Sequence, residues 1–509
     1  MKILKVLFSR MVIVGIILFM QVAYFLVILQ RLGNYSTIIH TTFTLISIVV
    51  VLYIINKEDN PSYKLAWIVP ILAFPLLGGI LYVAMGDKKP ARKMRKKLEL
   101  VEELTNCMLY QYPNVQDKLR ENPSKVNGQL NYLQKSVGYP VYQNTKTEYY
   151  SIGEEYYKAL LDALKEAKHF IFMEFFIVEE GIMWNSILEI LEQKAAEGLD
   201  VRLMYDDVGC VSILPYQYYK KLEEKGIKAI AINPFRPIFS VAMNNRDHRK
   251  IAVIDGNKAF TGGINLADEY INRKVRFGHW KDTGISLYGD AVWSMTLMFL
   301  QMWNANRPTD TDYVQFRPRV QHLDSNECKG FVLPYGDSPL DSESTGENVY
   351  LNIINMANDY VYIFTPYLII DNEMLTALSL AAKRGVDVRI VTPGIPDKKI
   401  VYKLTQSYYP ALIQAGVKVY QYSKGFVHAK CVVSDDEVAT VGTINFDYRS
   451  LYLHFENGVY LYRTDSVMKV KEDFLETFPE CEEIYRGYLN HSLPRDVFRA
   501  ILRLFAPMM

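Results

Sequence analysis

Apolar residues dominate the first part of the chain and then give way to short alternating blocks. Residues 11–30, 37–55 and 65–85 are three runs of about 20 mainly apolar residues, each long enough to cross a hydrocarbon core of ~30 Å. The third is interrupted by Pro70, Pro75, Gly78 and Gly79, which membrane helices tolerate when neighbours satisfy the freed backbone groups. The pattern therefore predicts a transmembrane region over 1–87. Residues 88–150 are polar and mixed, broken at Tyr112-Pro113 and Asn122-Pro123, and read as a basic juxtamembrane connector.

Beyond 150, helical and strand periods alternate. Tyr157, Leu160, Leu161 and Leu164 recur at helical spacing; residues 170–178 form an apolar run of strand length, 187–196 are again helical, and 199–205 alternate as a strand. Such alternation predicts an α/β fold, a sheet covered by helices. The order then returns: position 170 matches 362, 198 matches 385, 248 matches 428, and 282 matches 456. The chain reads as a duplication, with one half over 151–310, a joint rich in Pro, Asp and Ser over 311–345, and a second half over 346–509. Related halves pack about a pseudo-twofold axis as subunits of a dimer do, which would bring equivalent residues together between them.

Composition narrows the class. Half of the 509 residues are apolar and 22% are charged, enough for a large core and against global disorder. A formal net charge of +1 offers no electrostatic case for nucleic acid. The five cysteines are an odd number with no CxxC pair, so neither a disulfide framework nor a zinc site is indicated. Lys88, Lys89, Arg92, Lys93, Arg95, Lys96 and Lys97 follow the third apolar run, and positive residues stay on the cytoplasmic side. This places the C-terminal portion in the cytoplasm at a cell membrane. Lys2, Lys5 and Arg10 make the same demand of the N-terminus, and three spans cannot meet both. Either that weaker signal yields, or the first segment lies in the interface. The basic run serves equally as a topology signal or a contact for anionic headgroups.

The chemistry lies in a pattern that occurs twice. His248, Lys250 and Asp255, followed by Gly262, Gly263 and Asn265, match His428, Lys430 and Asp435, followed by Gly442, Thr443 and Asn445. On a strand, positions two apart share a face, so each half presents an imidazole and an ammonium together. Two of each, with Asn265 and Asn445, make a pocket of donors suited to a phosphate ester. One histidine would attack phosphorus while the other protonates the leaving oxygen and then serves as base for the incoming hydroxyl. The lysines and asparagines would stabilise the equatorial oxygens in place of a metal; no cofactor or metal is expected. Asp282 and Glu456, at equivalent places, are candidates to orient the histidines as the third member of a triad does. Asp255 and Asp435 join the catalytic motif by position, with holding the turn favoured over touching phosphate. His40, His169, His279, His322, His454 and His491 read as structural or exposed. Asp206 and Asp207 read as a loop or substrate-shaping element, Glu174 as a buried hydrogen-bonded group or a substrate contact, and Cys431 as core.

At these residues the chain resembles the phospholipase D superfamily, whose signature is the paired His-x-Lys-x4-Asp motif. The apolar N-terminus, the stretch 67–86, the run Tyr205-Asp206-Asp207-Val208-Gly209, Thr365-Pro366-Tyr367, the segment 425–430 and 445–450 are similar to bacterial cardiolipin synthases. The resemblance implies a duplicated α/β/α sandwich with pseudo-twofold symmetry and transfer of a phosphatidyl group from one phosphatidylglycerol to another. Cardiolipin and glycerol would be the products, made at a lipid bilayer, with a phosphatidyl-histidine intermediate for which the resemblance leans to His248. Two apolar segments are commoner in that family than three. The residues alone do not separate transfer to an alcohol from transfer to water, which depends on whether the pocket excludes water. A membrane-bound phospholipase D, a synthase using another headgroup donor, a nuclease of the superfamily and a non-catalytic membrane scaffold are the competing readings. The near-neutral charge disfavours the nuclease, and the intact motifs in both halves disfavour the scaffold.

Overall fold

A computed structural model describes residues 37–74, 78–79, 82, 86, 92–121, 124–234, 245–320, 323, 328–485 and 493–508. The first half supplies strands β1 (Thr145–Tyr150), β2 (Phe170–Phe175), β3 (Asp200–Asp206), β4 (Lys228–Ile232), β5 (Lys250–Ile254), β6 (Lys258–Gly262), β7 (His279–Lys281) and β8 (Gly284–Gly289). The second supplies β9 (Phe331–Asp337), β10 (Tyr360–Phe364), β11 (Leu368–Ile369), β12 (Asp387–Pro393), β13 (Lys418–Tyr422), β14 (Gly425–Val427), β15 (Cys431–Ser434), β16 (Val438–Gly442), β17 (Phe446–Asp447), β18 (Glu456–Tyr462) and β19 (Cys481–Ile484).

Two mixed sheets result. One runs β1-β8-β6-β5-β2-β3-β4; the other runs β9-β18-β16-β15-β10-β12-β13 and adds β19 at its edge. Order and direction agree strand for strand, with a parallel trio at one side and an antiparallel set at the other. The motif strands β5 and β15 are buried along their whole length, which is why their sequences are continuous apolar runs rather than alternating ones. β1 lies in the stretch read from sequence as connector, and β9 in the stretch read as joint, so each sheet extends past the boundary drawn there.

The inner faces of the two sheets share one apolar core, to which Phe172, Ile251, Leu287, Val433, Val441 and Leu461 all belong. Helix α4 (Val292–Asn306) fills part of it, buried on every side except at its C-terminal Asn306, because it packs against its own sheet, against β9 of the other and against helix α3 (Arg92–Thr105). Its counterpart α5 (Asp465–Thr477) packs on the second sheet and reaches β1 of the first. There Asp473 accepts hydrogen bonds from Tyr149 Oη and Lys281 Nζ, both at 2.6 Å. The outer faces are covered by separate helical layers.

The N-terminal expectations fare differently. Segment 11–30 lies outside the described residues. Among the described residues no helix is long and apolar enough to cross a membrane. The second segment coincides with α1 (Thr37–Asn56), whose first two turns carry His40 and four threonines, leaving an apolar stretch over 45–55 of roughly 16 Å. The third coincides in part with α2 (Pro61–Ala73), which has 13 residues, roughly 20 Å. Pro61 opens it at the position where a missing N–H costs nothing, and Asn60 caps it by accepting from Ser62 N at 2.9 Å. The Asn60 amide also donates to Asp371 and Tyr452 Oη at 3.0 Å, tying the α1–α2 turn to the second half.

Candidate active site

Both motif strands end in the same way. Asp255 and Gly256, and likewise Asp435 and Asp436, have φ between +53° and +66°, the paired left-handed residues of a type I′ turn. Gly256 is needed there for a second reason, since a Cβ would meet the Phe316 carbonyl oxygen at 2.3 Å. Asp255 accepts hydrogen bonds from the backbone N–H groups of Lys168, His169 and Phe170 at 2.7–2.9 Å. Asp435 does the same for Asn358, Asp359 and Tyr360 at 2.9–3.1 Å. These two carboxylates therefore sit at the far ends of β5 and β15 from the histidines, one strand length of roughly 15 Å away. Their inclusion with the catalytic residues is corrected: they lock the loop that enters the neighbouring strand. Asp255→Ala is expected to lower stability by about 1–2 kcal/mol through the unpaired amides, seen as a lower Tm, with activity per folded molecule unchanged.

The other ends of the strands come together. His248 and His428 are each about 8% exposed, and each is held by the opposite half. Nδ1 of His248 lies 2.9 Å from both carboxylate oxygens of Glu456, and Nδ1 of His428 lies 2.7 Å from Oδ2 of Asp282. The backbone is crossed in the same sense. His248 N donates to the Phe455 carbonyl at 2.9 Å and His428 N to the Lys281 carbonyl at 2.7 Å. The strand leading to His428, β14, pairs in parallel with β7, which leads to Asp282. Asp247 bridges Phe455 in the equivalent way. Neither half contains a complete site.

A carboxylate can only accept, so the proton of each imidazole sits on Nδ1 and the Nε2 lone pair is free. Lys250 Nζ donates to the carbonyl of His248 at 2.6 Å, and Lys430 Nζ to that of His428, which fixes each ammonium beside its own histidine. Burial pushes His248 down from its usual 6.5 to about 3 and His428 to about 4; Glu456 and Asp282 pull the other way, while the adjoining lysines add to the fall. Burial likewise takes Lys250 down to about 7 and Lys430 to about 8, against the attraction of Glu456 and Asp282. Lys430 is itself one of the charges that lower Lys250, so the two motifs share one electrostatic environment. Burial, the largest single influence, raises Glu456 and Asp282, but His248 with His454 around the first, and His428 with Lys430 and the Thr283 N–H around the second, together hold both below the usual carboxylate range.

The residues after the motifs explain the small positions in the repeat. A Cβ on Gly263 would come within 2.0 Å of Asp282 Oδ1 and 2.9 Å of the His428 carbonyl oxygen. Glycine is what lets that pair approach the backbone. Its counterpart Thr443 instead donates its hydroxyl to Glu456. Asn265 is buried with both ends engaged: Oδ1 accepts from Ile177 N at 3.0 Å and Nδ2 donates to Tyr270 Oη at 2.8 Å. Asn445 Nδ2 faces Asp447 at 3.3 Å. Both amide donors expected to meet phosphate are thus turned towards protein groups, because each asparagine sits in a loop whose own polar groups need partners.

Other residues resolve as well. Glu174 is 2.5 Å from Arg249 Nη2, and Arg249 Nε donates to Asp247 Oδ1 at 3.1 Å, a buried ion cluster next to the site. Asp206 caps the short helix that follows it, accepting from Val208 and Gly209, and Cys431 is buried. One histidine was missed. His454 is 9% exposed, its ring centroid 5.6 Å from that of His248 and its Nδ1 3.7 Å from Glu456 Oε1. The available signal was its spacing of two from Glu456 at the entry to β18.

A duplicated α/β unit presenting two His/Lys pairs at one point defines an enzyme of the phospholipase D type. A model described as "Cardiolipin synthase, PLD-like domain" matches residues 160–275 and 350–478, and one described as "Phospholipase_D-nuclease N-terminal" matches 45–86. Cardiolipin synthase 2 of Bacillus cereus is 34% identical over 472 residues, covering 92% of this chain and 91% of that protein. An uncharacterized protein of Streptococcus mutans serotype c is 46% identical over 464 residues, covering 90% and 99%. The crystal structure of phosphatidylserine synthase from Haemophilus influenzae Rd KW20 shares the fold, with a TM-score of 0.52 at 14% identity over 71% of this chain and 93% of that one. The chain belongs to the cardiolipin synthase family of the phospholipase D superfamily, and it is a phosphatidyltransferase.

Proposed function

We propose that the chain is a cardiolipin synthase that moves a phosphatidyl group from one phosphatidylglycerol to another and releases glycerol. The observation that carries this reading is the crossed pairing of His248 with Glu456 and His428 with Asp282, two oriented imidazoles flanked by two lysines. In the first step Nε2 of His248 attacks phosphorus, the bond to the headgroup glycerol breaks, and His428 delivers a proton to the departing oxygen. In the second, the terminal hydroxyl of another phosphatidylglycerol attacks the phosphatidyl-histidine, His428 takes its proton, and His248 is restored. Lys250 and Lys430 neutralise the equatorial oxygens. The negative charge of the bound phosphodiester offsets the two ammoniums that otherwise oppose a second proton on His428.

Membrane association supports the choice of a lipid substrate. Leu45, Val49, Leu52 and Tyr53 of α1 and Leu65 and Leu72 of α2 are exposed. Helix α6 (Leu493–Phe505) packs beside α2 and exposes Leu493, Val497, Phe498 and Ile501, an apolar face suited to the headgroup–acyl boundary. We place these exposed apolar faces of α1, α2 and α6 against the membrane, with the two halves as a cytoplasmic unit on its surface.

Two outcomes test the reading. The reaction conserves one phosphodiester for another and is reversible, so cardiolipin with excess glycerol should return phosphatidylglycerol; a hydrolase would give phosphatidic acid regardless of glycerol. Lysines at about 7 and 8 in the free site lose charge as pH rises, and a phosphodiester bound to them raises both values, so binding takes up protons. KM for phosphatidylglycerol should therefore climb above pH 8, approaching about tenfold per unit for one controlling lysine. A KM flat to pH 10 would contradict the lysine assignment.

A further inference from the structure

His454 has no part in the steps above, yet it points into the site. Both of its ring nitrogens are buried without a hydrogen-bond partner, a costly arrangement for a polar group unless something fills it. Its Nδ1 is 3.7 Å from Glu456 Oε1, and the same oxygen is 2.9 Å from Nδ1 of His248. One ligand atom from each of the three residues falls within 4.8 Å of the others. Tetrahedral zinc with bonds of about 2.0–2.1 Å needs ligand atoms roughly 3.3 Å apart, and the two shorter separations bracket that value. Two imidazoles and one carboxylate with a free fourth position is a donor set zinc accepts.

We propose that His248, Glu456 and His454 form a binding site for a zinc-like divalent cation that inhibits the enzyme. The metal would sit between His248 and Glu456, replacing the Nδ1 proton that the carboxylate otherwise holds. The nucleophilic imidazole would then be tied to a cation, and Glu456 could no longer support positive charge on it, so phosphatidyl transfer stops. Access comes from a cavity of about 570 Å³ that His454 lines together with Glu58, Asp59, Asp341, Glu343 and one lysine, Lys57. Four carboxylates against one lysine leave this mouth net acidic, which concentrates cations. Since His454 lies two residues before Glu456, where the chain enters β18, a single residue type at position 454 decides whether the third ligand exists.

The test uses the purified full-length chain in detergent–lipid micelles, zinc chloride and a chromophoric chelator as competitor, with binding read independently of any lipid substrate. The wild type should take up one zinc per chain and lose activity in parallel, both restored by excess chelator. His454→Asn should keep the basal activity and weaken zinc binding by about 100-fold or more, the loss expected for a ligand when even supporting partners are worth 10–100-fold. His454→Gln, checked for fold by circular dichroism, stands in should the first variant misfold. No stoichiometric zinc on the wild type, or equal binding and inhibition in wild type and variant, overturns the site. Because zinc uptake is scored without substrate, the outcome is separable from whether the product is cardiolipin.

Discussion

His248→Ala and His428→Ala each reduce cardiolipin formation to background, a loss of at least about 10⁴-fold, since one removes the nucleophile and the other the proton relay. Neither should unfold the protein. The imidazoles lie just before strands β5 and β15, whose apolar residues are all retained, and circular dichroism and Tm check this directly. The two variants separate with a phosphatidyl nitrophenyl ester, whose leaving group departs without an acid. His428→Ala should still release one equivalent of nitrophenol in a burst and accumulate phosphatidyl-His248, while His248→Ala gives none. Turnover above a few per cent with the natural donor in either variant would sink the two-histidine mechanism.

Asp282→Asn and Glu456→Gln should each lower kcat by about 10⁴-fold, the cost when a carboxylate that fixes an imidazole tautomer becomes an amide. An amide N–H offered to Nδ1 favours the tautomer with its proton on Nε2, which disables that nitrogen. The crossed geometry makes a sharper statement about which histidine suffers. Glu456 belongs to the second half but holds His248, so Glu456→Gln should abolish the nitrophenol burst. Asp282 belongs to the first half but holds His428, so Asp282→Asn should keep it and slow the following turnover. If each acid served the histidine of its own half, these outcomes would be exchanged.

That crossing was beyond what the sequence could reveal, and the reason is physical. The repeat shows Asp282 and Glu456 at equivalent positions, but equivalence is the same whether each acid bonds within its half or across the axis. Only the parallel pairing of β14 with β7, a contact between halves, decides it. What was legible came from local rules. The repeated offset of two marked His248 and Lys250 as one pair, although β5 begins only at Lys250 with His248 in the segment before it, and the continuous apolar runs marked β5 and β15 as central. Asp255 and Asp435 misled because a fixed offset within a motif says nothing of direction: five buried strand residues in β5 and four in β15 carry the acids away to a turn. His454 was passed over because a lone histidine is usually structural, although His-x-Glu at the entry to β18 repeats the spacing of His-x-Lys at the entry to β5. At the N-terminus, hydropathy was read over whole segments, whereas the threonines and His40 of α1 and the early end of α2 interrupt them.

The central claim is transfer of phosphatidyl to a lipid hydroxyl at this site, and its most direct measurement is a product balance. Purified protein in mixed micelles is given phosphatidylglycerol labelled in both the headgroup glycerol and the acyl chains, and products are followed by thin-layer chromatography. Cardiolipin and free glycerol appearing in equal amounts, with no phosphatidic acid, is the predicted result. Glycerol accompanied by phosphatidic acid would contradict it, since water would then be the acceptor.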